Sequence, residues 1–300
     1  MRKLIADIRK SKFIYLLILP GLLQILLYDY VPFYYLQIAF KDFNVFKGLE
    51  GSEWVGFQKF AELFAAEYFI QSVRNTFIIS GMQIAVGFFV PVVLAMLLNE
   101  LRSVLFARSI QTILYLPHFL SWVIIGGLFA TILSPYGGVV NVLLGAFGID
   151  PIYFMADRAW FRWVLVFSEI WKEAGWASII YLAAILSIGS EQYESAIVDG
   201  ANRFQRMLYI TFPALVPTML VVLLLKVSKI LNLFTQVFVM YNPVVAEVSE
   251  TIGTYVYLMG IQRGDLSFAT AAGMFNSLVS LVMVLTANFA VKHIRGTSIV

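Results

Sequence analysis

Along this chain, runs of apolar residues recur at lengths that suit a lipid bilayer and are separated by short polar stretches. A spanning helix needs about 20 mostly apolar residues. Six stretches meet that length, at approximately 13–40, 73–98, 109–133, 161–188, 212–240 and 268–291. The pattern predicts an all-α polytopic membrane protein, with six transmembrane helices in a single domain over 1–300. The first stretch exceeds the bilayer thickness and is expected to tilt, or to emerge as an amphipathic end near Pro32. "YLPHFLS" is expected to kink the third, and "YNP" at Tyr241–Pro243 reads as the stop of the fifth.

Between the spans, three segments carry shorter helical patterns. A short interfacial helix is expected near 57–68. Residues 136–150 are too short to cross and read as a re-entrant or surface helix, and 247–263 read as another surface helix. No internal repeat, low-complexity linker or broken helix stands out.

One segment breaks the apolar theme. Residues 189–211 turn charged, helical and water-compatible. Tyr193, Ala196, Ile197, Gly200 and Phe204 fall at i, i+3, i+4, i+7 and i+11, one face of a helix. Ser190 is the expected N-cap, and Glu191 in the first turn suits the helix dipole. Gly200 permits either a turn or a close backbone approach. A second short helix is expected from Arg203 to about Ile210, and Pro213 is expected to open the fifth span. Two amphipathic helices joined near a glycine can lie on the membrane or dock into a partner. Membrane-surface helices are usually richly basic; here bases are few and Glu194 and Asp199 intrude, which favours docking.

Composition agrees with the pattern. Of the 300 residues, 60% are hydrophobic and 13% charged, where a soluble domain carries roughly 25% charged residues. The mean hydropathy is +0.84. Cysteine is absent, which excludes disulfides and thiolate metal sites. No Walker A loop, HExxH or His/Asp/Glu ligand cluster is present, so neither intrinsic ATPase nor metalloenzyme chemistry is expected. The N-terminus is basic, then apolar. It is expected to stay as a signal-anchor helix, because the apolar run reaches Phe40 and no small-x-small cleavage site follows.

Flanking Lys and Arg set orientation. With the N-terminus in the cytoplasm, the inside segments hold Arg2, Lys3, Arg9, Lys10, Lys12, Arg102, Arg108, Arg203, Arg206, Lys292 and Arg295. The longer outside segments hold Lys41, Lys47, Lys59, Arg74, Arg158, Arg162 and Arg263. Both termini and the 189–211 loop are therefore expected in the cytoplasm.

The loop carries a resemblance. Glu194, Ser195, Ala196, Asp199, Gly200 and Ala201, then Arg203, Phe204, Ile210, Pro213 and Pro217, resemble the EAA loop of binding-protein-dependent ABC importer permeases, which reads E-A-A-x-x-x-G-A followed by I-x-L-P. Ser195 stands in the first alanine place and Phe212 in the leucine place. "LILPGLLQILLYDYVPFYYLQIAFKDF", "SVRNTFIIS", "LYLPHFLSWVIIGG", "EIWKEAGWASIIYLAAILSI" and "MYNPVVAEVSETIGTYVY" are similar to MalF-like oligosaccharide permeases of the LplB branch. The resemblance implies a MetI/MalF-like fold in a bacterial cell membrane, with the loop seated in a cleft of an ATP-binding subunit. It also implies a second homologous permease, two ATP-binding subunits holding ATP and magnesium, and an extracytoplasmic solute-binding protein. No cofactor bound by this chain and no nucleic-acid partner is expected.

Away from their ends, the fourth and fifth apolar stretches carry five charges: Glu169, Lys172 and Glu173 on the fourth, Lys226 and Lys229 on the fifth. Intramembrane charge marks a functional site by default. At about 1.5 Å per residue both sets fall at one level, in the outer half of the bilayer. They can pair with one another and merely hold helices together. They can also line a sugar path, with Trp176 stacking on a ring and Asn232, Gln236 and Asn276 hydrogen-bonding to hydroxyls. One base is left over, which points to an acidic, uronate-containing oligosaccharide; lysines donating to a neutral sugar are the alternative. His118 reads as a helix-packing group and His293 as a solvated dipole partner. An ion-coupled secondary transporter is the rival class. It has no ATPase to dock and usually shows internal repeats and broken helices at its site.

Overall fold

The computed structural model describes residues 11–228, 231 and 233–295, with only the backbone at 294 and 295. Lys229 and Asn232 therefore lie outside the described residues. Among the described residues, four helices are each long and apolar enough to span: Lys12–Phe40, Glu67–Asn99, Arg203–Ser228 and Leu266–His293. Two bent pairs, Val104–Phe119 with Trp122–Ile132 and Phe161–Leu186 with Ser190–Val198, bring the spans to six when each pair counts as one. The second span starts at Glu67, six residues earlier than the apolar pattern indicated.

Two compact units divide the chain. One holds the described residues up to Ala66 together with Val256–Met274. In it the first span stands with its apolar window uncovered. A two-residue antiparallel pairing, Lys41–Asp42 with Glu53–Trp54, follows, then the helix Gln58–Ala65, close to where an interfacial helix was expected. Lys59 Nζ meets Asp42 at 2.7 Å. That hydrogen bond and charge hold the Asp42 carboxyl below its ordinary value.

The other unit, Glu67–Tyr255 with the chain from Phe275, is organised on the fourth span. Phe161–Leu186 is 26 residues long, about 39 Å of helix, with no proline in it. Its first turns join a core of Ile79, Phe161, Val164, Leu165, Val237 and Met240. Its last turns join a second core of Val92, Met96, Tyr181, Ile185, Leu215 and Met219. Between the two, Gly175 lies so near the third span that a Cβ would sit 2.0 Å from the Leu114 carbonyl oxygen. Only glycine permits that approach.

Three prolines take two courses. Pro117 ends the third-span helix in a 3-10 turn, Leu116–Phe119, with Leu120 extended. Ser121 Oγ then accepts from Ile124 N–H and starts Trp122–Ile132 at 106° to the preceding helix. The expected kink is a full break. Pro213, expected to open the fifth span, instead lies inside a helix running from Arg203 to Ser228. A π turn, Met207–Thr211, precedes it, and Phe212 N–H reaches Met207 O. Proline would clash with the carbonyl four residues back, at Tyr209; the wider π turn moves that carbonyl away. Pro32 has the same device, with the π turn Leu26–Tyr30 and Val31 N–H on Leu26 O.

The fifth stretch is not one helix either, since Phe234–Met240 is a separate element. The third and fifth spans are thus both interrupted, which the apolar pattern did not disclose.

Two connecting segments are held by side chains. Asn141, in the helix Val139–Ala146, donates to Leu133 O, Ser134 O and Ile152 O and accepts from Ile152 N–H. The stretch expected as a surface helix near 247–263 is instead inserted: Ser249, Glu250, Thr251, Ile252, Thr254 and Tyr255 are buried. Asn75 Nδ2 donates to Glu247 O and Glu250 O, each at 3.0 Å. Arg162 donates to Val248 O and to Asn75 Oδ1, and Tyr68 OH donates to the Glu250 carboxylate. Buried backbone needs such partners, and surface periodicity carries no sign of them.

Gly175→Ala is expected to cut the yield of folded, detergent-soluble protein and to lower its Tm. The obstacle is backbone, so the cost exceeds the about 1–3 kcal/mol of ordinary overpacking. Gly127→Ala, a helical position with nothing within 4 Å of the added methyl, is expected to be neutral or slightly stabilising. Size-exclusion yield and thermal denaturation of both variants check this, and equal behaviour would refute the backbone contact.

Candidate coupling hairpin and substrate path

The polar segment is a helical hairpin. Its first helix is Ser190–Val198. Gly189, not Ser190, occupies the N-cap position, and no side chain caps the start; Ser190 is already the first helical residue. Glu191 lies in the first turn as expected. At the other end Gly200 has φ +80. Ala201 N–H reaches Ala196 O at 2.8 Å and Gly200 N–H reaches Ile197 O at 3.0 Å. This pair of bonds is a Schellman cap with Gly200 in the left-handed position. A Cβ at Gly200 would touch nothing within 4 Å, so a turn, not a close approach, is what the glycine serves.

Asn202 starts the second helix with a reciprocal capping box. Its side chain accepts from Gln205 N–H, and the Gln205 side chain accepts from Asn202 N–H. The sequence pattern N-x-x-Q was available to find it. This helix does not stop near Ile210 but runs on into the fifth span. Tyr193 OH and Thr211 Oγ1, 2.9 Å apart, tie the two arms together. Arg203 reaches Glu100, at the end of the second span, at 3.8 Å.

The predicted apolar face divides in two. Tyr193 and Ala196 turn inward and are partly buried, as is Ala201. Ile197, Val198 and Phe204 are exposed, Val198 at 88%. Glu194, Ser195, Asp199, Gly200, Arg203 and Pro213 are exposed as well.

The intramembrane charges sort into two groups. Lys172 is buried, and its Nζ donates to His118 O at 2.6 Å and Leu120 O at 2.9 Å. Those are carbonyls that the break in the third span leaves without helical partners. Glu173 Oε2 lies 2.9 Å from His118 Nδ1, and its other oxygen is 3.7 Å from Lys172. Trp176 stacks on the His118 ring, with centroids 4.6 Å apart and planes 3° apart. Lys172, Glu173 and Trp176 therefore converge on His118 and Leu120. The packing role expected of His118 is what its contacts provide. Its tie to the fourth-span charges was legible only through the broken backbone that Pro117 creates.

Glu169 and Lys226 form the second group. Glu169 lies within electrostatic range of Glu173, Lys226 and Lys172. Neither Glu169 nor Lys226 has a side-chain hydrogen bond or an ion pair among the described residues. Gln236 is buried and committed: its Nε2 donates to Leu165 O and Ser168 Oγ, and its Oε1 accepts from Gln83. Asn276 Oδ1 is buried with no hydrogen-bond donor among the described residues.

Residues 87–296 match the family model described as "Binding-protein-dependent transport system inner membrane component". The protein LplB of Bacillus subtilis (strain 168) is 41% identical over 96% of this chain and 91% of its own length. The polygalacturonan/rhamnogalacturonan transport system permease protein YteP of the same organism is 41% identical over 97% of this chain and 91% of its own length. A chain in the crystal structure of a bacterial ABC transporter involved in the import of the acidic polysaccharide alginate superposes with a TM-score of 0.89. It is 42% identical over 98% of this chain and 99% of that one. The same values hold for that transporter in complex with an alginate pentasaccharide-bound periplasmic protein. With the family match over 87–296 and this extent of likeness in agreement, the chain belongs to the family of binding-protein-dependent transport inner membrane components, as an ABC transporter permease.

Proposed function

We propose that this chain is one of two homologous membrane subunits of an ATP-driven importer of acidic oligosaccharides, in a bacterial cell membrane with both termini cytoplasmic. Two ATP-binding subunits hold ATP and magnesium, and one of them grips the 190–206 hairpin of this chain. An extracytoplasmic binding protein delivers the sugar at the other face.

The observation that carries the reading is the hairpin itself: a rigidly capped plug with Ile197, Val198 and Phe204 open to solvent. A ligand-driven cycle can shift a conformational equilibrium only through a contact that differs between states. A plug socketed in an ATPase supplies such a contact. An ion-coupled carrier has no use for it, and co-purification of the chain without any ATPase would favour that class instead.

Two things support an acidic sugar. YteP is named for polygalacturonan and rhamnogalacturonan transport, and the superposing transporter for import of the acidic polysaccharide alginate. Lys226 makes no hydrogen bond or ion pair among the described residues and has Glu169 only within electrostatic range, so its ammonium is free to donate to a carboxylate in the path. Lys172 contributes differently, by shaping the path at the third-span break, since its donors already serve two carbonyls.

Gly200→Val is expected to uncouple ATP hydrolysis from uptake while leaving the spans folded. A β-branched residue in the left-handed region costs about 1–2 kcal/mol or more, and a comparable loss in docking is roughly tenfold in transport rate. Gly200→Asn, which tolerates that conformation, is expected to retain most of it. Measurements of ATPase and uptake in proteoliposomes check this, and a folded Gly200→Val variant that transports normally would contradict the docking role.

Lys226→Gln is expected to lower uptake of an oligogalacturonate or alginate pentasaccharide by about tenfold, the value of one charge-assisted hydrogen bond. Uptake of a neutral oligosaccharide of the same length should change little. Equal losses for both sugars would assign Lys226 to structure and remove the acidic-substrate argument.

A further inference from the structure

Where the hairpin joins the spans, a groove of about 520 Å³ opens between the end of the second span, the end of the fourth and the start of the fifth. Arg102, Arg203 and Arg206 border it, against a single acid, Glu100. Arg203 meets Glu100 only at 3.8 Å, and both side chains are well exposed. Such a pair is worth little, and two positive charges remain uncompensated. Arg206 is half-buried, and its Nε is enclosed with no hydrogen-bond acceptor among the described residues. Leaving a guanidinium N–H buried and unanswered is costly.

The opposite wall is hydrocarbon. Ile185 and Leu186 end the fourth helix there, and Leu186 is 75% exposed. A guanidinium set facing an open leucine, at the level where three spans end, fits a molecule that carries both a phosphate and an acyl chain. Arginine's planar fork matches phosphate oxygens two at a time. Basic pockets between transmembrane helices at the membrane boundary hold anionic headgroups in this way.

We infer that this groove binds a phosphate group through Arg102 and Arg206, with the headgroup of an anionic phospholipid as its source and free phosphate as the other source of the same chemistry. A phosphate there answers the Arg206 Nε and braces the second span against the fifth beside Tyr193 of the hairpin. The inference rests on the chain crossing the membrane; Arg203 and Arg206 also belong to the hairpin, so Arg102, which lies outside it, is the position at which lipid retention and ATPase coupling fail separately.

The test uses the purified importer complex, exchanged into phosphatidylglycerol or phosphatidylcholine nanodiscs and then released into detergent for native mass spectrometry. Wild-type complex is expected to retain phosphatidylglycerol in preference to phosphatidylcholine. Arg102→Gln is expected to weaken that retention about fivefold, and the double variant Arg102→Gln/Arg206→Gln more. Arg263→Gln, at an exposed arginine remote in sequence from the groove, should behave as wild type. If the double variant does not assemble, the exposed Arg102 position alone gives the reading. In a second arm, millimolar inorganic phosphate is added to delipidated complex and Tm is followed. A rise in wild type that is lost in Arg102→Gln supports the site with free phosphate as its source. Loss of phosphatidylglycerol retention in the variant, with no phosphate effect, supports it with lipid as its source. Equal lipid retention in wild type and variants, together with no arginine-dependent phosphate effect, overturns it.

Discussion

In the hydrocarbon region no water completes the hydrogen bonds of a backbone that leaves its helix, so every interruption requires a protein donor or acceptor. Lys172 meets that requirement for the third span. Its ammonium has three protons and no acceptor role, and two of its bonds go to the carbonyls of His118 and Leu120. Without it, the 106° break would leave carbonyls unsatisfied in a medium where each costs several kcal/mol. Glu173 adds the counter-charge and binds the His118 ring, which stacks on Trp176. Gln236, which follows the second interruption, instead ties side chains and helix together, bonding to Gln83, Leu165 O and Ser168. The fourth helix can supply or receive these bonds because Gly175 brings it into backbone contact with the third span.

That constraint changes how intramembrane charge is read. Counting acids and bases at one depth treats them as equivalent, and the count from sequence gives one base in excess. In the structure the charges are not equivalent. Lys172 is occupied by backbone, and Glu173 by a histidine and by Lys172. Glu169 and Lys226 are left within electrostatic range of each other, with no hydrogen bond or ion pair among the described residues. The polar side chains that suggested a sugar site divide likewise: Gln236 is part of the frame, while Asn276 keeps a buried oxygen unanswered.

The positions of the spans were legible because lipid imposes a length on each of them. The first, fourth and sixth apolar stretches end within a few residues of the helices Lys12–Phe40, Phe161–Leu186 and Leu266–Arg295. The interruptions were not legible, because proline alone does not determine its own effect. Pro117 ends a helix where Lys172 waits for the freed carbonyls, whereas Pro213 is absorbed by a π turn that starts six residues earlier. Both outcomes depend on neighbours that local sequence does not show. In the hairpin, the glycine joint and the acidic first turn could be read directly, since each is a property of one or two adjacent residues. The cap at Asn202 was also local, and its N-x-x-Q spacing was the available signal. The inserted segment around Glu250 looked like surface because its partners, Asn75, Thr76 and Arg162, lie far away in sequence.

On the proposed docking of the hairpin, transmission to the third-span break needs a body that does not absorb the displacement in bending. Helices bend at proline, at glycine–serine pairs and at π turns. The fifth span has a π turn at Met207–Thr211 and two prolines, and it is interrupted before Phe234. The third is broken outright. The fourth contains no proline and no π turn over its 26 residues. It begins in one core, ends in the other, and turns by 72° directly into the hairpin helix Ser190–Val198. Lys172 and Glu173 lie within it. A displacement of the hairpin carried by that helix therefore reaches the capped break of the third span as a shift of the donors themselves, while the fifth and third spans supply the joints. On that division the same helix that keeps the interrupted backbone satisfied is the one stiff enough to drive it.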